Sequence, residues 1–161
     1  MQTEEEARTA FWSALRSDMT VMLGLDQAGH DLRPMTAQML DDGDYGPIWF
    51  FTSKDTHLAS GLTGEQPAQF SFVSKSHSLF ASVQGTLTEN TDSGVIDALW
   101  NPYVAAWYEG GKTDPNLLLL RFEPDDAKIW FDANSLFAGI KMMLGIDPKK
   151  DVMNKVATVA L

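Results

Sequence analysis

The sequence has no cysteine and few basic residues. The absence of cysteine excludes disulfide bonds and thiolate chemistry. The 161 residues include 12 lysines and arginines against 22 acidic residues, which gives a formal net charge of −10 at pH 7. Because the basic residues are scattered and form no run or stripe, the sequence argues against a nucleic-acid-binding protein.

Long apolar runs, a leader segment and metal-type histidine spacing are also absent. No stretch approaches the roughly 20 apolar residues that a membrane-spanning helix needs. The N-terminal segment 1–6 is acidic and lacks the regions of a signal peptide. We therefore expect a cytoplasmic protein with no membrane partner. His30, His57 and His77 lie far apart in the sequence, so we expect no bound metal.

The remaining composition, 44% hydrophobic and 21% charged, is that of an ordinary globular protein, and its length predicts one domain over residues 1–161. Thr3, followed by three glutamates, is typical of a helix start, and apolar spacing carries this helix over 4–17. The hydrophobic pattern predicts strands at 20–25, 32–40, 48–52, 69–74, 79–88, 116–122 and 128–132. Further helices are predicted at the polar stretch up to Leu62 and at 92–100, 103–109 and 134–144, before a short strand within 152–161.

Most of these six or seven strands follow one another in hairpin order, with a turn at Glu123–Asp126 joining the last pair. Gly85 is expected to mark a bulge or a close backbone approach. The arrangement predicts an α+β fold, a mainly antiparallel sheet or barrel with peripheral helices, and not a doubly wound fold.

The stretch from Ile48 to Leu62 combines a buried strand with a polar helix start. Ser53 and Asp55 are both good N-cap residues. Unpaired backbone N–H groups at such a junction favour anions. Side chains able to donate to a phosphate oxygen are concentrated there, namely those of Thr52, Ser53, Lys54, Thr56 and His57. The alternative is a well-capped helix with a solvated first turn.

Arg33 and Pro34 lie within a predicted strand, which is unusual because proline donates nothing to a ladder and is confined to edges or bulges. Such a strand leaves backbone groups available for a ligand. The alternative is an edge strand that these two residues protect against aggregation.

The segment 99–115 contains two tryptophans and two tyrosines. These rings belong either to the core and an interface or to the wall of a site for a flat heteroaromatic ligand.

These segments resemble the flavin-binding region of the pyridoxamine 5′-phosphate oxidase-like proteins. The resemblance rests on Arg33-Pro34-Met35-Thr36 and on Ile48-Trp-Phe-Phe-Thr52 with its following helix. The segment from Leu99 to Phe122, closing on Lys128-Ile-Trp-Phe-Asp132, is similar to the general stress protein branch of that family. The resemblance spans roughly residues 4 to 135.

The resemblance implies an FMN-binding split β-barrel that works as a homodimer, with FMN at the subunit interface. Residues 33–36 would run along the isoalloxazine and ribityl edge, and Phe51 and Thr52 would continue that wall. Trp130 matches an aromatic position near the flavin ring. Thr56 and His57 would meet the FMN phosphate, assisted by Lys54. The candidate cofactor-binding residues are Arg33, Pro34, Met35, Thr36, Phe51, Thr52, Ser53, Lys54, Thr56, His57 and Trp130.

Two departures from the family pattern bear on function. Relatives carry a basic residue where this chain has His57-Leu58, and Leu58 cannot pair with phosphate. If FMN has been lost for this reason, replacing Leu58 by lysine should restore it. Pyridoxamine phosphate oxidases also hold their substrate phosphate with an Arg-x-His element near the C-terminus. Here the last arginine is Arg121 and no histidine follows His77, so we do not expect oxidation of pyridoxamine phosphate.

The leading hypothesis is an FMN-binding general stress-type protein, a flavin-dependent oxidoreductase of unknown substrate and without an assigned acid or base. One alternative is a flavin carrier or sensor without turnover. The other is a split barrel that has lost FMN and binds another ligand or a protein partner.

Overall fold

The computed structural model describes residues 3–132 and 156–161. Its helices are α1 (Glu4–Ser17), α2 (His57–Gly61), α3 (Ser93–Leu99) and α4 (Pro102–Ala105), with a 3₁₀ turn at Gly111–Thr113. Its strands are β1 (Thr20–Leu25), β2 (Arg33–Thr36), β3 (Ile48–Ser53), β4 (Gln66–Val73), β5 (Leu79–Glu89), β6 (Leu117–Phe131) and β7 (Val156–Ala160). The predicted C-terminal strand is confirmed as β7, and the helix predicted at 134–144 lies outside the described residues.

The strands form one antiparallel sheet in the order β2-β1-β4-β5-β6-β3, with β7 also paired to β6. The two ends of this order meet at a bridge between Gln38 and Trp49, whose two backbone hydrogen bonds measure 2.8 and 2.9 Å. The sheet therefore curls round on itself but closes through this bridge and not through a continuous ladder. The predicted α+β fold with an antiparallel split barrel is confirmed.

The second strand is shorter than predicted. The sequence predicts 32–40, whereas β2 covers Arg33–Thr36. Beyond it the Ala37 N–H donates to the Met19 carbonyl at 2.7 Å, and Gln38 pairs with Trp49 on β3. The backbone leaves β1 here because it has to cross to the other end of the sheet.

The predicted hairpin at residues 116–132 is wrong. The sequence suggests a turn at Glu123–Asp126, but β6 runs unbroken for 15 residues. The turn-forming residues are accommodated by a bulge, which adds a residue to one strand without reversing the chain. The bulge also marks a change of partner, since β6 pairs with β3 before it and with β7 after it.

Gly85 on β5 faces this bulge. The register shifts between Gln84, which pairs with Asp126, and Gly85, which pairs with Pro124. A Cβ atom on Gly85 would collide with the carbonyl oxygen of Glu123. The predicted bulge and close approach at Gly85 are both confirmed.

Helix α1 closes the barrel core, as its amphipathic pattern predicts. The Thr3 hydroxyl accepts from the Glu6 N–H at 3.1 Å and the Glu6 carboxylate accepts from the Thr3 N–H at 2.9 Å, which is a complete capping box. The helix buries Ala7, Phe11 and Trp12 against the sheet interior. Among the described residues, no helix is long and apolar enough to cross a membrane.

A second, smaller core lies outside the barrel, and we name it the outer cluster. Its members come from β3, β6, α3, α4 and the turn after α4, and they are Trp49, Ile96, Leu99, Val104, Tyr108, Leu117 and Leu119. Asp92 caps α3, accepting from the Val95 N–H at 3.0 Å. The outer cluster fixes α3 and α4 against the outward face of β3, beside the site described next.

Candidate functional site

A cavity of about 620 Å³ opens between β2, the end of β3 and the segment around α4. This volume lies in the usual range for small-molecule and cofactor sites, roughly 300–1,000 Å³. The described residues that line it are Met19, Arg33, Pro34, Met35, Thr36, Gln38, Phe51, Thr52, Ser53, Asp55, Thr56, Asn101, Tyr103, Val104, Trp107 and Tyr108.

Eight of the eleven predicted cofactor-binding residues line this cavity, namely Arg33, Pro34, Met35, Thr36, Phe51, Thr52, Ser53 and Thr56. Lys54, His57 and Trp130 are not among the lining residues. The structure therefore brings together two segments that are well separated in the sequence. That these side chains bind a flavin stays a prediction.

One wall of the cavity is the edge strand β2. Pro34 pairs with Met22 of β1, and no second strand of residues 3–132 or 156–161 forms a ladder with β2 on its other side. The predicted edge position of this proline is confirmed. The Arg33 side chain is half-buried at the cavity and forms no ion pair with any described residue. Its guanidinium, which is always charged, thus offers up to five donors to an anion or a carbonyl group.

The corner between β3 and α2 forms the polar end of the cavity. The predicted caps Ser53 and Asp55 are wrong: α2 begins at His57, and the cap is Thr56, the residue with extended backbone just before the first helical turn. The Thr56 hydroxyl accepts from the Ala59 N–H at 3.2 Å and donates to the Ser53 carbonyl at 2.9 Å. Because α2 has only five residues, little helix dipole accumulates, and an anion here would depend mainly on hydroxyl groups and nearby charges.

Two predicted phosphate-site residues, His57 and Lys54, do not line the cavity. The His57 imidazole stacks on that of His30, with ring centroids 4.5 Å apart and planes inclined by 21°. His30 belongs to the β1–β2 loop, and neither ring lines the cavity. The Lys54 backbone N–H donates to the Asn116 carbonyl at 3.0 Å, which anchors this residue beside the cavity while its side chain is exposed.

Leu58 has a different role from the one suggested by the family pattern. It is 4% exposed and packs in the barrel core. A lysine at this position would place its side chain in the core, so the structure gives a reason against its supplying a phosphate ligand, and the effect of Leu58→Lys on FMN binding stays a prediction. Leu58 is explained by packing and does not count against a phosphate site.

The aromatic segment 99–115 forms another wall of the cavity. Some of its residues are buried in a core and others are exposed at the cavity, so each interpretation of this segment applies to different residues. Val104 and Tyr108 are buried in the outer cluster, whereas Tyr103 and Trp107 are 85% and 83% exposed. All four line the cavity. The sequence predicts a possible aromatic wall here, but it contains no signal that separates the buried rings from the exposed ones.

Tyr108 connects this wall to β3. Its hydroxyl donates to the Thr52 carbonyl at 2.7 Å. Burial raises the pKa of the phenol above its ordinary value; the nearby Ser53 side chain lowers the pKa, and the Asp114 charge raises it further. The phenol therefore stays protonated at neutral pH and acts as a fixed donor.

Trp130 lies on the outward face of the sheet and not at the cavity. Across the sheet, Val73 pairs with Phe80, Phe80 with Trp130, and Trp130 with Val156. All four side chains are exposed to between 36% and 43%. We name these four residues the apolar row.

The chain matches a known protein family and is similar to several proteins of known structure. A family model described as pyridoxamine 5′-phosphate oxidase like matches residues 6–151. The general stress FMN/FAD binding protein of Xanthomonas citri is 56% identical, with a TM-score of 0.76 over 81% of this chain and 92% of that one. A candidate general stress protein 26 from Jannaschia sp. CCS1 is 34% identical, with a TM-score of 0.82 over 99% of this chain and 100% of that one. The chain is also 27% identical over 85 residues to general stress protein 26 of Bacillus subtilis, a match spanning 51% of this chain and 60% of that protein.

Proposed function

We propose, from the finding that this chain belongs to the pyridoxamine 5′-phosphate oxidase-like family, that it is a general stress-type protein that binds FMN in the cavity. The observation that carries the proposal is the meeting of segments 33–36 and 51–56 on one cavity of about 620 Å³. A similar protein, from Xanthomonas citri, is named for FMN and FAD binding, which supports a flavin as the ligand.

The described cavity residues fit the two halves of such a ligand. Met35, Phe51 and Val104 offer apolar surface to a planar ring system, as cofactor pockets usually do. Thr52, Ser53 and Thr56 offer hydroxyl groups at the end of β3, where we place the phosphate. When bound, the flavin supplies hydride or electron transfer. The chain orients the ring through Arg33 and excludes water with the buried side chains around it.

A homodimer with FMN at its interface is part of the proposal. The apolar row exposes four apolar side chains side by side, and contiguous exposed apolar surface is typical of an interface. Trp130 lies on this row and outside the cavity of its own chain. The four side chains are exposed in the single chain and would be buried if a second copy covered the row. Trp130 could then approach the flavin site of the other subunit.

Whether the protein turns over a substrate is a separate question. The ionisable residues among the described cavity lining are Arg33, Asp55, Tyr103 and Tyr108, and we assign none of them as a catalytic acid or base. We propose a flavin-dependent oxidoreductase of unknown substrate. A flavin carrier or sensor is the second candidate. That the protein does not oxidise pyridoxamine phosphate, and that it is cytoplasmic, stay predictions.

The test is a visible absorption spectrum of the purified protein, followed by titration with FMN and with riboflavin. We expect a flavin band, and FMN should bind at least about tenfold more tightly than riboflavin, because charge-assisted hydrogen bonds to a phosphate contribute about 1.5–3 kcal/mol each. Arg33→Ala should weaken both ligands, whereas Arg121→Ala, outside the cavity, should change neither. A colourless protein that does not bind FMN contradicts the proposal. Reduction of bound FMN by NAD(P)H then separates the enzyme from the carrier.

A further inference from the structure

Two large aromatic side chains are exposed at the mouth of the cavity. Tyr103 is 85% exposed and Trp107 is 83% exposed, although both line the cavity. They lie four residues apart on α4 and the turn that continues it, a spacing that places side chains on one face. Among the described residues, neither ring pairs with another aromatic ring, and the Tyr103 hydroxyl has no hydrogen-bond partner.

The backbone that carries these rings is firmly held. The Asn101 side-chain oxygen accepts from the N–H groups of Tyr103 and Val104 at 2.9 and 3.0 Å. On the opposite face, Val104 packs into the outer cluster and the Tyr108 hydroxyl bonds to β3. The two exposed rings are therefore presented from a fixed support, and they are not the tip of a loose loop.

Because they are exposed, Tyr103 and Trp107 contribute no packing to the folded core. Exposed aromatic rings grouped at a pocket are typical of ligand-binding surfaces. Since the ring contacts of the flavin are assigned to Met35, Phe51 and Val104 and its phosphate to the end of β3, Tyr103 and Trp107 are not needed for FMN itself. From this arrangement we infer that Tyr103 and Trp107 form a stacking surface for a second planar heteroaromatic ring, next to the flavin. This inference rests on the proposed function.

Two kinds of ligand carry a planar heteroaromatic ring that could stack on these residues. One is the adenine of FAD, joined to the flavin through its phosphates. The other is a ring of a separate molecule, such as a nicotinamide dinucleotide bound beside FMN. An indole or phenol face stacks on either ring in the same way, because stacking depends on the flat π surface and not on a hydrogen-bond pattern.

The experiment compares FMN with FAD, and then NAD⁺ as an unreactive free probe on the FMN-loaded protein. Equilibrium dialysis would be performed on the wild type, Trp107→Ala, Tyr103→Ala and Trp107→Phe. Tyr45→Ala serves as the control, because Tyr45 is 61% exposed and outside the cavity. Loss of the indole should weaken FAD binding, or NAD⁺ binding, by about tenfold or more, while FMN binding is unchanged. Trp107→Phe should restore most of the affinity, and thermal unfolding should not change in any of these variants.

Weakened FAD binding identifies the attached adenine as the ring, and weakened NAD⁺ binding identifies a separate molecule. The inference is overturned if Trp107→Ala leaves both unchanged or weakens FMN and FAD equally. It is also overturned if the main effect is dissociation of a dimer in analytical ultracentrifugation, which would assign the rings to a second copy of the chain. A wild type that does not bind FMN overturns the proposed function itself, and that titration is performed first.

Discussion

The hydroxyl of Tyr108 donates a hydrogen bond of 2.7 Å to the backbone carbonyl of Thr52. The two residues are 56 positions apart in the sequence, and both are buried. This contact joins the segment that follows α4 to the end of β3, where the polar end of the cavity begins. It therefore fixes the distance between the aromatic wall and the residues proposed to meet the flavin phosphate.

We expect Tyr108→Phe to lower the free energy of unfolding by about 1–2 kcal/mol, because a buried hydrogen bond is lost while the ring remains. FMN affinity should also fall, since Val104, which packs with Tyr108 and is assigned to the flavin ring, is no longer tied to β3. Urea denaturation and FMN titration measure the two effects. Tyr103→Phe is the matched control: its hydroxyl is exposed and has no partner among the described residues, so neither quantity should change. Equal stability of the two variants would contradict the structural role of the bond.

Because of the Tyr108 phenol, we also expect the stability to depend on pH. Its pKa is raised from 10.0 in the folded protein, mainly by burial. The unfolded chain therefore ionises first, and the contribution of Tyr108 is fully present below pH 10 and is lost as the pH rises through the folded-state value. The free energy of unfolding of the wild type should thus decrease above pH 10 more steeply than that of Tyr108→Phe. Identical slopes for the two proteins in denaturation series at alkaline pH would contradict a raised pKa of this phenol in the folded protein.

Leu58→Lys tests the phosphate site against the family pattern. Because Leu58 is buried in the barrel core, a lysine there places an uncompensated charge in it, and we expect a loss of about 3–5 kcal/mol of stability without a gain in FMN affinity. His57→Lys is the matched control at the neighbouring exposed position, where stability should be retained. A stable Leu58→Lys protein that binds FMN more tightly would restore the interpretation that the core position belongs to the phosphate site.

The sequence predicts most of the sheet, and its main error shows what local pattern cannot decide. The residues Glu123–Asp126 have the chemistry of a turn, so a hairpin is the natural interpretation. The outcome depends on β5, where Gly85 leaves space for the Glu123 carbonyl and lets β6 continue through a bulge. A contact between strands so far apart in the sequence is not encoded in either segment alone.

The sequence also predicts part of the candidate site. Edge strand β2 and the end of β3 are recognisable from Pro34 and from the polar residues after Phe51, but the choice of Thr56 as the cap depends on where β3 ends. Trp107 could not be distinguished from Tyr108, because which ring is exposed is decided by how α4 packs on the outer cluster. The side chains that connect elements are therefore the ones that the sequence leaves open.

The proposed dimer predicts that Phe80→Glu separates the subunits. Phe80 lies within the apolar row, between Val73 and Trp130, so a carboxylate there would be buried without a partner if a second copy covers this face. We expect the wild type to sediment as a dimer, and the variant to sediment as a monomer with weakened FMN binding. Thr63→Glu, which introduces the same charge at an exposed loop position, should remain dimeric. If Phe80→Glu remains dimeric and retains FMN, the apolar row is not the subunit interface, and Trp130 does not reach a flavin across it.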